Sequence, residues 1–306
     1  NFLNWLAGYI TDNQIECLLI SGDIFDSNTP PNQAMELYYG FLSRLIHSVC
    51  RHIIIIAGNH DSPALLNAPR DILKHFNIHI TGSITENIED EIIKVKDHEG
   101  KVRLIVCAVP FLRDKDIRSS EAGESIEQKE QKMIEGIRNH YRQVCDLAND
   151  IRGDMDIPII AMGHLFTAGG SITEDDGVRE LYIGSLGHVH HQIFPEYLDY
   201  VALGHLHVPQ KVNQSDKIRY SGSPLPMGFG EARQQKIMCL IETQDRNLTV
   251  NEVEIPVFQR LESIKGNRDK IISRLQELVL ENEEILAEVV YTGEEQFSDL
   301  KTVVER

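Results

Sequence analysis

Four short apolar runs along the chain are each followed by a glycine and then by Asp, Asn or His. The runs cover residues 17–20, 53–57, 157–162 and 200–203. Each is short enough to form one buried strand, and amphipathic helical patterns lie between them. We therefore predict a layered α/β fold in which the strands lie side by side and their carboxyl ends gather the polar residues in one crevice.

The alternation of helices and strands continues to about residue 255. A helix is predicted after Pro30 and Pro31, because apolar residues recur at helical spacing over residues 34–49 and proline suits a first helical turn. Further patterns predict the remaining elements: a strand at 104–110, a charge-rich solvated helix at 119–135 with an amphipathic continuation, a loop at 167–177 and a turn at 220–224.

The pattern changes near Pro256. Residues 268–282 predict a charged amphipathic helix, and residues 288–291 predict a strand. This tail resembles the beginning of a second α/β unit and is too short to bury a core alone. We assign residues 1–255 to one large domain and residues 256–306 to part of a smaller one.

Composition narrows the class of protein. The 306 residues are 42% hydrophobic and 25% charged, which is ordinary for a globular protein, and no apolar run approaches the length of about 20 residues that spans a bilayer. The five cysteines are scattered, which favours reduced thiols in a cytosolic protein. The net charge of −17 argues against a generic basic nucleic-acid binder, although a metal centre or a partner subunit can offset it.

The polar residues after the four runs form a mixed oxygen and nitrogen donor set. They are Asp23, Asn59, His164, His205 and His207. Imidazole, carboxylate and amide groups together suit Mn²⁺, Fe or Zn²⁺ at a catalytic site. Asp23 is the candidate that bridges two metals, and two metals can activate a hydroxide and clamp a phosphate. Taken singly, Asp23 and Asn59 are equally typical of turns and His164 of a strand end, so the hypothesis rests on the set.

Two residues beside the donor set are candidates for acid–base chemistry. His60 follows Asn59 and is placed to protonate a leaving oxygen, and Asp61 is expected to orient it through a hydrogen bond. Ser185 and Ser223 are weaker candidates, because no nucleophile-elbow motif is present. A phosphate-binding glycine loop is also absent from the sequence.

A second Gly-His-x-His string competes with the one that contains His205 and His207. It begins at residue 187 and contributes His188, His190 and His191. The run at 200–203 forms the more continuous strand pattern, so we assign the ligands to the later string. The three earlier histidines are then expected to lie in a loop near the mouth of the site.

The motifs occur in an order that resembles the calcineurin-like metallophosphoesterases. They are Gly-Asp-x-x-Asp from residue 22, Gly-Asn-His-Asp from 58, Gly-His from 163 and Gly-His-x-His from 204. The resemblance covers residues 1–255 and implies a four-layer sandwich of two β-sheets flanked by helices. It also implies a dinuclear metal site. Segments at 29–31, 162–167, 182–184 and 220–226 are similar to bacterial DNA nuclease subunits of that family, and the tail after Pro256 is similar to the start of their capping domain.

The resemblance carries expectations about function. It implies a Mn²⁺-dependent exonuclease and hairpin endonuclease of bacterial recombination and repair, with Mg²⁺ or another divalent metal as the alternative. It further implies a homodimer that acts on DNA ends with an SMC-family ATPase. Matched by motif, the resemblance implies that Asp23 bridges the two metals. It also implies that the second metal is bound by Asn59, His164 and His205, that the first is bound by His207, and that His60 acts on the leaving group.

One motif of that family is missing from the sequence. An Asp-x-His string is expected on a strand ahead of Asn1, and none occurs in the chain. We therefore expect a first metal that lacks two of its usual ligands, and an impaired enzyme when the chain stands alone. Two alternatives remain open: another dinuclear phosphodiesterase or phosphatase, and an inactive scaffold that only holds a partner.

Overall fold

The computed structural model describes residues 1–118, 123–168, 189–281 and 284–293. Helices and strands alternate up to about residue 164, apart from one pair of consecutive strands. Beyond it, the described residues form successive strands separated only by loops and 3₁₀ turns until a helix begins at Arg268, so the alternation predicted to residue 255 is wrong for the second part of the domain. The strands are β1 Cys17–Ser21, β2 His52–Ile56, β3 Ile78–Thr81, β4 Ile92–Lys96, β5 Val102–Ala108, β6 Ile159–His164, β7 Thr167–Ala168, β8 Val189–His190, β9 Tyr200–Gly204, β10 Gln210–Lys211, β11 Ile218–Tyr220, β12 Ile237–Gln244, β13 Asn247–Glu254, β14 Arg260–Gly266 and β15 Ile285–Tyr291.

Long and short helices connect the strands. They are α1 Phe2–Asp12, α2 Asn32–Ile46, α3 Pro63–Asn67, α4 Arg70–Lys74, α5 Asp114–Ile117, α6 Ile126–Arg152 and α7 Arg268–Glu281, with 3₁₀ turns at Ile88–Glu91, His191–Ile193, Val212–Gln214 and Phe229–Glu231. Helix α6 begins with a capping box between Ser125 and Gln128, which satisfies amide groups of its first turn. None of the helices described is long and apolar enough to cross a membrane.

Two sheets form the centre of the molecule. One contains three parallel strands in the order β1-β2-β3. The other has the order β10-β11-β9-β6-β5-β4, in which β11, β9, β6 and β5 are parallel while the edge strands β4 and β10 are antiparallel. Parallel strands need coverage on both faces, and both sheets have it.

The side chains of β2 show how the layers are held together. Ile53 and Ile55 pack into the cluster under α1 and α2, whereas Ile54 and Ile56 belong to the cluster between the two sheets. All four are at most 2% exposed, as alternate residues of a doubly covered strand should be. A third cluster lies between the six-stranded sheet and α6. The order is therefore helices, sheet, sheet, helix, which is the predicted four-layer sandwich.

One expectation about the strands is wrong in detail. The four glycine-ended strands do not lie side by side in one sheet: β1 and β2 belong to the three-stranded sheet, and β6 and β9 to the six-stranded one. Their carboxyl ends still meet, because the sheets face each other there. The hydroxyl of Ser21 donates to the carbonyl oxygen of Ala202 across the gap at 3.1 Å.

The tail after Pro256 has a small core of its own. Strands β14 and β15 pair in parallel, and α7 packs on them through Ile264, Ile271 and Leu278. Its assignment to a capping domain stays a prediction. In the predicted loop at 167–177, Thr167 and Ala168 instead form β7, which pairs with β8; the remainder lies outside the described residues, as do 119–122 of the predicted solvated helix. All five cysteines are unpaired thiols.

Candidate metal centre

The turn after β1 places Asp23 at the gap between the sheets. Gly22 has φ +88° and Asp23 has φ +50°, so two successive residues lie in the left-handed region and the chain reverses tightly. The end of β2 packs directly against this turn. A Cβ on Gly58 would stand 2.1 Å from Oδ1 of Asp23, so only glycine permits the close approach.

Strands β6 and β9 bring two histidines to the same point. Ligand atoms of Asp23, His164 and His205 all lie within 4.8 Å of one another, and both histidines are buried. The approach again depends on glycine, because a Cβ on Gly204 would lie 1.8 Å from the carbonyl oxygen of Ser21. We call the set Asp23, Asn59, His164 and His205 the strand-end cluster.

The hydrogen bonds of His164 show what this cluster is built to hold. Its Nδ1 lies 2.8 Å from the carbonyl oxygen of Ser21, to which it donates, so the lone pair of the neutral ring is on Nε2. That Nε2 lies 2.9 Å from Oδ1 of Asn59 and 3.1 Å from Oδ2 of Asp23. A lone pair and two oxygens therefore converge, and a divalent cation is the group that satisfies such a donor set.

The ionisation of the cluster suits a metal. Burial raises the pKa of Asp23, but its contacts with the His164 ring and with the backbone amide of His60 outweigh burial and lower the pKa to about 2. Burial, with the neighbouring His164, lowers the pKa of His205 to about 3. At neutral pH the first group is a carboxylate and the second a neutral imidazole, which are the forms that coordinate metals.

His60 is attached to the cluster through its backbone. Its amide donates to Oδ1 of Asp23 at 3.0 Å, and its ring Nδ1 lies 2.9 Å from the carbonyl oxygen of Asp26. The carboxylate of Asp26 stands 3.7 Å from the same nitrogen. The backbone of the turn after β1 thus sets the orientation of the His60 ring.

Asp61 does not form the expected pair with His60. Its Oδ2 accepts the amides of Gly58 at 2.8 Å and Ile24 at 3.1 Å, and its Oδ1 accepts that of Phe25 at 3.0 Å. The predicted dyad is therefore wrong: Asp61 ties the turn after β1 to the turn after β2. Burial raises its pKa, in opposition to these three hydrogen bonds.

His207 lies two residues beyond His205 and has a different setting. Its Nδ1 is 3.0 Å from Oε1 of Glu231, a fully buried carboxylate that is also ion-paired with Lys236. Sequence reasoning missed both partners. A single Glu and a single Lys in a polar stretch of sequence carry no recognisable spacing.

The competing residues that the structure describes make local contacts of their own. His190 is exposed and its Nδ1 accepts the amide of Gln192 at 3.3 Å, while His191 begins the 3₁₀ turn after β8. The hydroxyl of Ser223 donates to the carbonyl oxygen of Leu225 at 2.8 Å and shows no nucleophile geometry. His188 and Ser185 lie outside the described residues.

Comparison with known proteins places this architecture in a family. A model of the calcineurin-like phosphoesterase family matches residues 1–209. The chain is 34% identical to the SbcD subunit of nuclease SbcCD from Escherichia coli (strain K12), over 99% of this chain and 75% of that protein. It is 32% identical to the protein of the same name from Bacillus subtilis (strain 168), over 79% of this chain and 60% of that protein.

The chain belongs to the calcineurin-like phosphoesterase family. The class of enzyme suggested by the motifs, a phosphodiester hydrolase, is thereby confirmed, as is the similarity to bacterial nuclease subunits. The family also accounts for the strand-end cluster, since its members are metal-dependent.

Proposed function

We propose that this protein is the metal-dependent DNA nuclease subunit of a complex with an SMC-family ATPase. The observation that carries the proposal is the convergence of Nε2 of His164 with the oxygens of Asn59 and Asp23, which is a divalent-metal donor set. Relatives named as nuclease subunits support DNA as the substrate. Mn²⁺ is the proposed metal, because the donors mix imidazole with hard oxygens.

The residues have separate tasks in this proposal. Asp23, Asn59, His164 and His205 would hold one metal, and His207 would hold the other with Asp23 between them. When bound, such a pair supplies a hydroxide at neutral pH and neutralises charge on the phosphate. The turn after β1 is fixed by Asp61, so the Asp23 carboxylate keeps its direction.

His60 would deliver the proton to the leaving oxygen. Its Nδ1 lies 2.9 Å from the carbonyl oxygen and 3.7 Å from the carboxylate of Asp26, so this nitrogen is already engaged. The opposite nitrogen, Nε2, then carries the proton that is transferred as the bond between phosphorus and the 3′ or 5′ oxygen breaks. Attack by hydroxide on phosphorus supplies the new bond, so the products are a phosphate monoester and an alcohol.

The charge of the chain shapes the proposal about partners. At −17 it repels the DNA backbone, so affinity for DNA ends should come from an ATPase subunit and should weaken with salt. A homodimer that presents two sites to two DNA ends is part of the same proposal. The relatives are named as one subunit of a nuclease, which supports a partner for this chain as well.

A substrate comparison tests the function. Full-length gene product should hydrolyse linear and hairpin DNA when Mn²⁺ is added, and EDTA should abolish the activity. A cyclic nucleotide and a phosphopeptide are the competing substrates for the two other phosphoesterase classes. A preference for either of these over DNA would contradict the nuclease proposal, and hydrolysis of none would favour the scaffold instead.

The His164→Ala variant shows whether the activity belongs to this protein. It removes the central donor of the strand-end cluster and should reduce cleavage to background. His140→Gln is a matched control, since that histidine is bonded to Glu91 on the opposite side of the six-stranded sheet from the two-sheet interface. Equal loss in both variants would point to misfolding rather than to a lost metal.

A further inference from the structure

Glu231 is an unusual residue for the interior of this protein. Its side chain is fully buried, and the Lys236 side chain with which it pairs is 4% exposed. A buried ion pair of this kind gains little net stability over apolar residues, because both charges must leave water. Since stability alone does not explain the pair, its contacts are the guide to its task.

Both oxygens of the carboxylate are engaged. Oε1 lies 3.0 Å from Nδ1 of His207. Oε2 accepts hydrogen bonds from the ammonium group of Lys236 and from the amide of Met227 at 3.3 Å, and the hydroxyl oxygen of Ser223 lies 3.3 Å from it. The orientation of the carboxylate is therefore set from several directions, and one oxygen is directed at the histidine.

The backbone of His207 is held by the same segment. Its carbonyl oxygen accepts the amide of Ser223 at 3.1 Å and Nζ of Lys236 at 3.0 Å. Gly222 makes the approach possible: its φ is +81°, and a Cβ there would stand 2.6 Å from that carbonyl oxygen. We call Ser223, Glu231 and Lys236 the His207 brace.

The contact between Glu231 and His207 determines which nitrogen of the His207 ring carries the proton. A carboxylate only accepts hydrogen bonds, so Nδ1 of His207 carries the proton in the pair. The lone pair of the neutral ring is then on Nε2. Histidines that bind metals are commonly held in this way, with the second nitrogen donating to a carboxylate that orients the ring and raises its basicity.

We propose that Glu231 and Lys236 are positioning residues for metal binding: Glu231 holds His207 with Nε2 as the ligand nitrogen, and Lys236 offsets the carboxylate charge while it anchors the His207 carbonyl. This rests on the proposed function, because His207 matters only if a second metal is used. A purely structural pair would instead fasten the 222–236 segment to the end of β9 without any effect on the ring of His207.

Glu231→Gln separates these possibilities. The variant keeps the shape and removes the obligatory acceptor. Glu91→Gln is the matched control, because Glu91 is also fully buried and bonded to a histidine, His140, at 2.9 Å. Full-length protein with ¹⁵N-labelled histidine is used, and the His207 signals are assigned with His207→Gln.

Two measurements are made on each protein. Long-range ¹⁵N–¹H spectra of the metal-free protein should show His207 protonated at Nδ1 in the wild type and in Glu91→Gln, and a mixture of tautomers in Glu231→Gln. Mn²⁺ titration followed by electron paramagnetic resonance should show affinity about 10- to 100-fold weaker at one of two sites in Glu231→Gln alone. An unchanged tautomer with unchanged Mn²⁺ affinity in Glu231→Gln would overturn the proposal.

Two further outcomes are kept apart. If Glu231→Gln fails to fold because Lys236 is left unpaired, the double variant Glu231→Gln with Lys236→Met removes both charges, and the same measurements are decisive there. If the wild type binds Mn²⁺ but cleaves no DNA, the proposed function fails while the tautomer result still decides the role of Glu231.

Discussion

The two parts of the proposed metal centre are held in place by different means. In the strand-end cluster, each side chain follows a glycine at the end of a strand, and backbone packing between two sheets brings the donors together. His207 instead leaves the end of β9 and is held by side chains from a segment up to 29 residues away. The first part depends on the fold as a whole, and the second on one buried ion pair.

The difference indicates how each part can fail. A change in the strand-end cluster should disturb metal binding and the packing of the sheets together, because the same residues serve both. A change in the His207 brace should disturb only the first metal, because that segment lies outside the layers. Substitutions in each part can break or sharpen this contrast, and the largest effects are expected at the histidines.

Two histidines, one from each part, give the strongest test. His164→Ala should abolish high-affinity Mn²⁺ binding by the strand-end cluster and raise the barrier to DNA cleavage by several kcal/mol, which slows it about 10³-fold. His207→Ala should slow cleavage similarly yet retain one Mn²⁺ site. Isothermal titration with Mn²⁺ measures both. Loss of every site in His207→Ala would remove the distinction between the two parts.

A substitution at His60 tests whether metal binding by the strand-end cluster can be separated from proton transfer to the leaving group. Its backbone amide belongs to the cluster through Asp23, but its ring faces Asp26. His60→Ala should therefore lower kcat by about 10²- to 10⁴-fold, as expected for a lost general acid, with unchanged Mn²⁺ affinity. Steady-state cleavage and titration on the same preparation check it, and a parallel fall in Mn²⁺ affinity would assign His60 to the metal site.

The contrast also explains what the sequence could predict. Each of the four apolar runs is followed by a glycine, so the four strands and the ligands after them were predictable by position. The glycines are Gly22, Gly58, Gly163 and Gly204. The division of these strands between two sheets was not, because a buried strand reads the same in either sheet. Glu231 was missed since its role depends on contact with His207, which no local spacing encodes. The Asp61 prediction failed for a related reason: three backbone amides took both of its oxygens.

Gly58→Ala tests the packing of the strand-end cluster directly. A Cβ there would meet the backbone nitrogen of Asp23 at 2.4 Å, so the turn after β1 and the turn after β2 must separate. We expect a loss of about 1–3 kcal/mol in the free energy of unfolding, as for other overpacked sites, together with weaker Mn²⁺ binding. Gly8→Ala is the matched control, because a Cβ at Gly8 in α1 meets nothing within 4 Å.

The control should move stability in the opposite direction. Alanine in the interior of a helix is favoured over glycine by roughly 0.5–1 kcal/mol, so Gly8→Ala should stabilise the protein and leave Mn²⁺ binding unchanged. Urea unfolding of both variants gives the two values. If Gly58→Ala were as stable as the wild type, the close approach of the two turns would not be a requirement of the site.

The smallest effect concerns a buried histidine, His52, and a half-buried one, His79, near the opposite end of the strands. In the described part of the chain, Nε2 of His79 and Nδ1 of His52 are buried without hydrogen-bond partners, and the rings stack at 6.0 Å. Burial, with the charge of His52, lowers the pKa of His79 to about 4. Burial therefore keeps His79 neutral without any oxygen ligand beside it. His164, in contrast, has oxygens of Asn59 and Asp23 at its Nε2, which suits a bound cation.

The sign of the pH effect follows from that lowered pKa. In the unfolded chain His79 binds a proton below pH about 6.5, whereas in the folded protein it does so only near pH 4. The free energy of unfolding therefore falls as the pH drops from about 6.5 to about 4. Because the ring is partly exposed to solvent, we discount the full shift and expect about 1 kcal/mol between pH 7 and pH 5. His79→Gln should lose this part of the pH dependence and keep Mn²⁺ affinity, as urea unfolding at the two pH values and titration at pH 7 would show. An identical pH dependence in both proteins would contradict the assignment to His79. The histidines of the proposed metal centre would then be the groups that control stability at low pH, and the strand-end cluster would affect the stability of the whole fold.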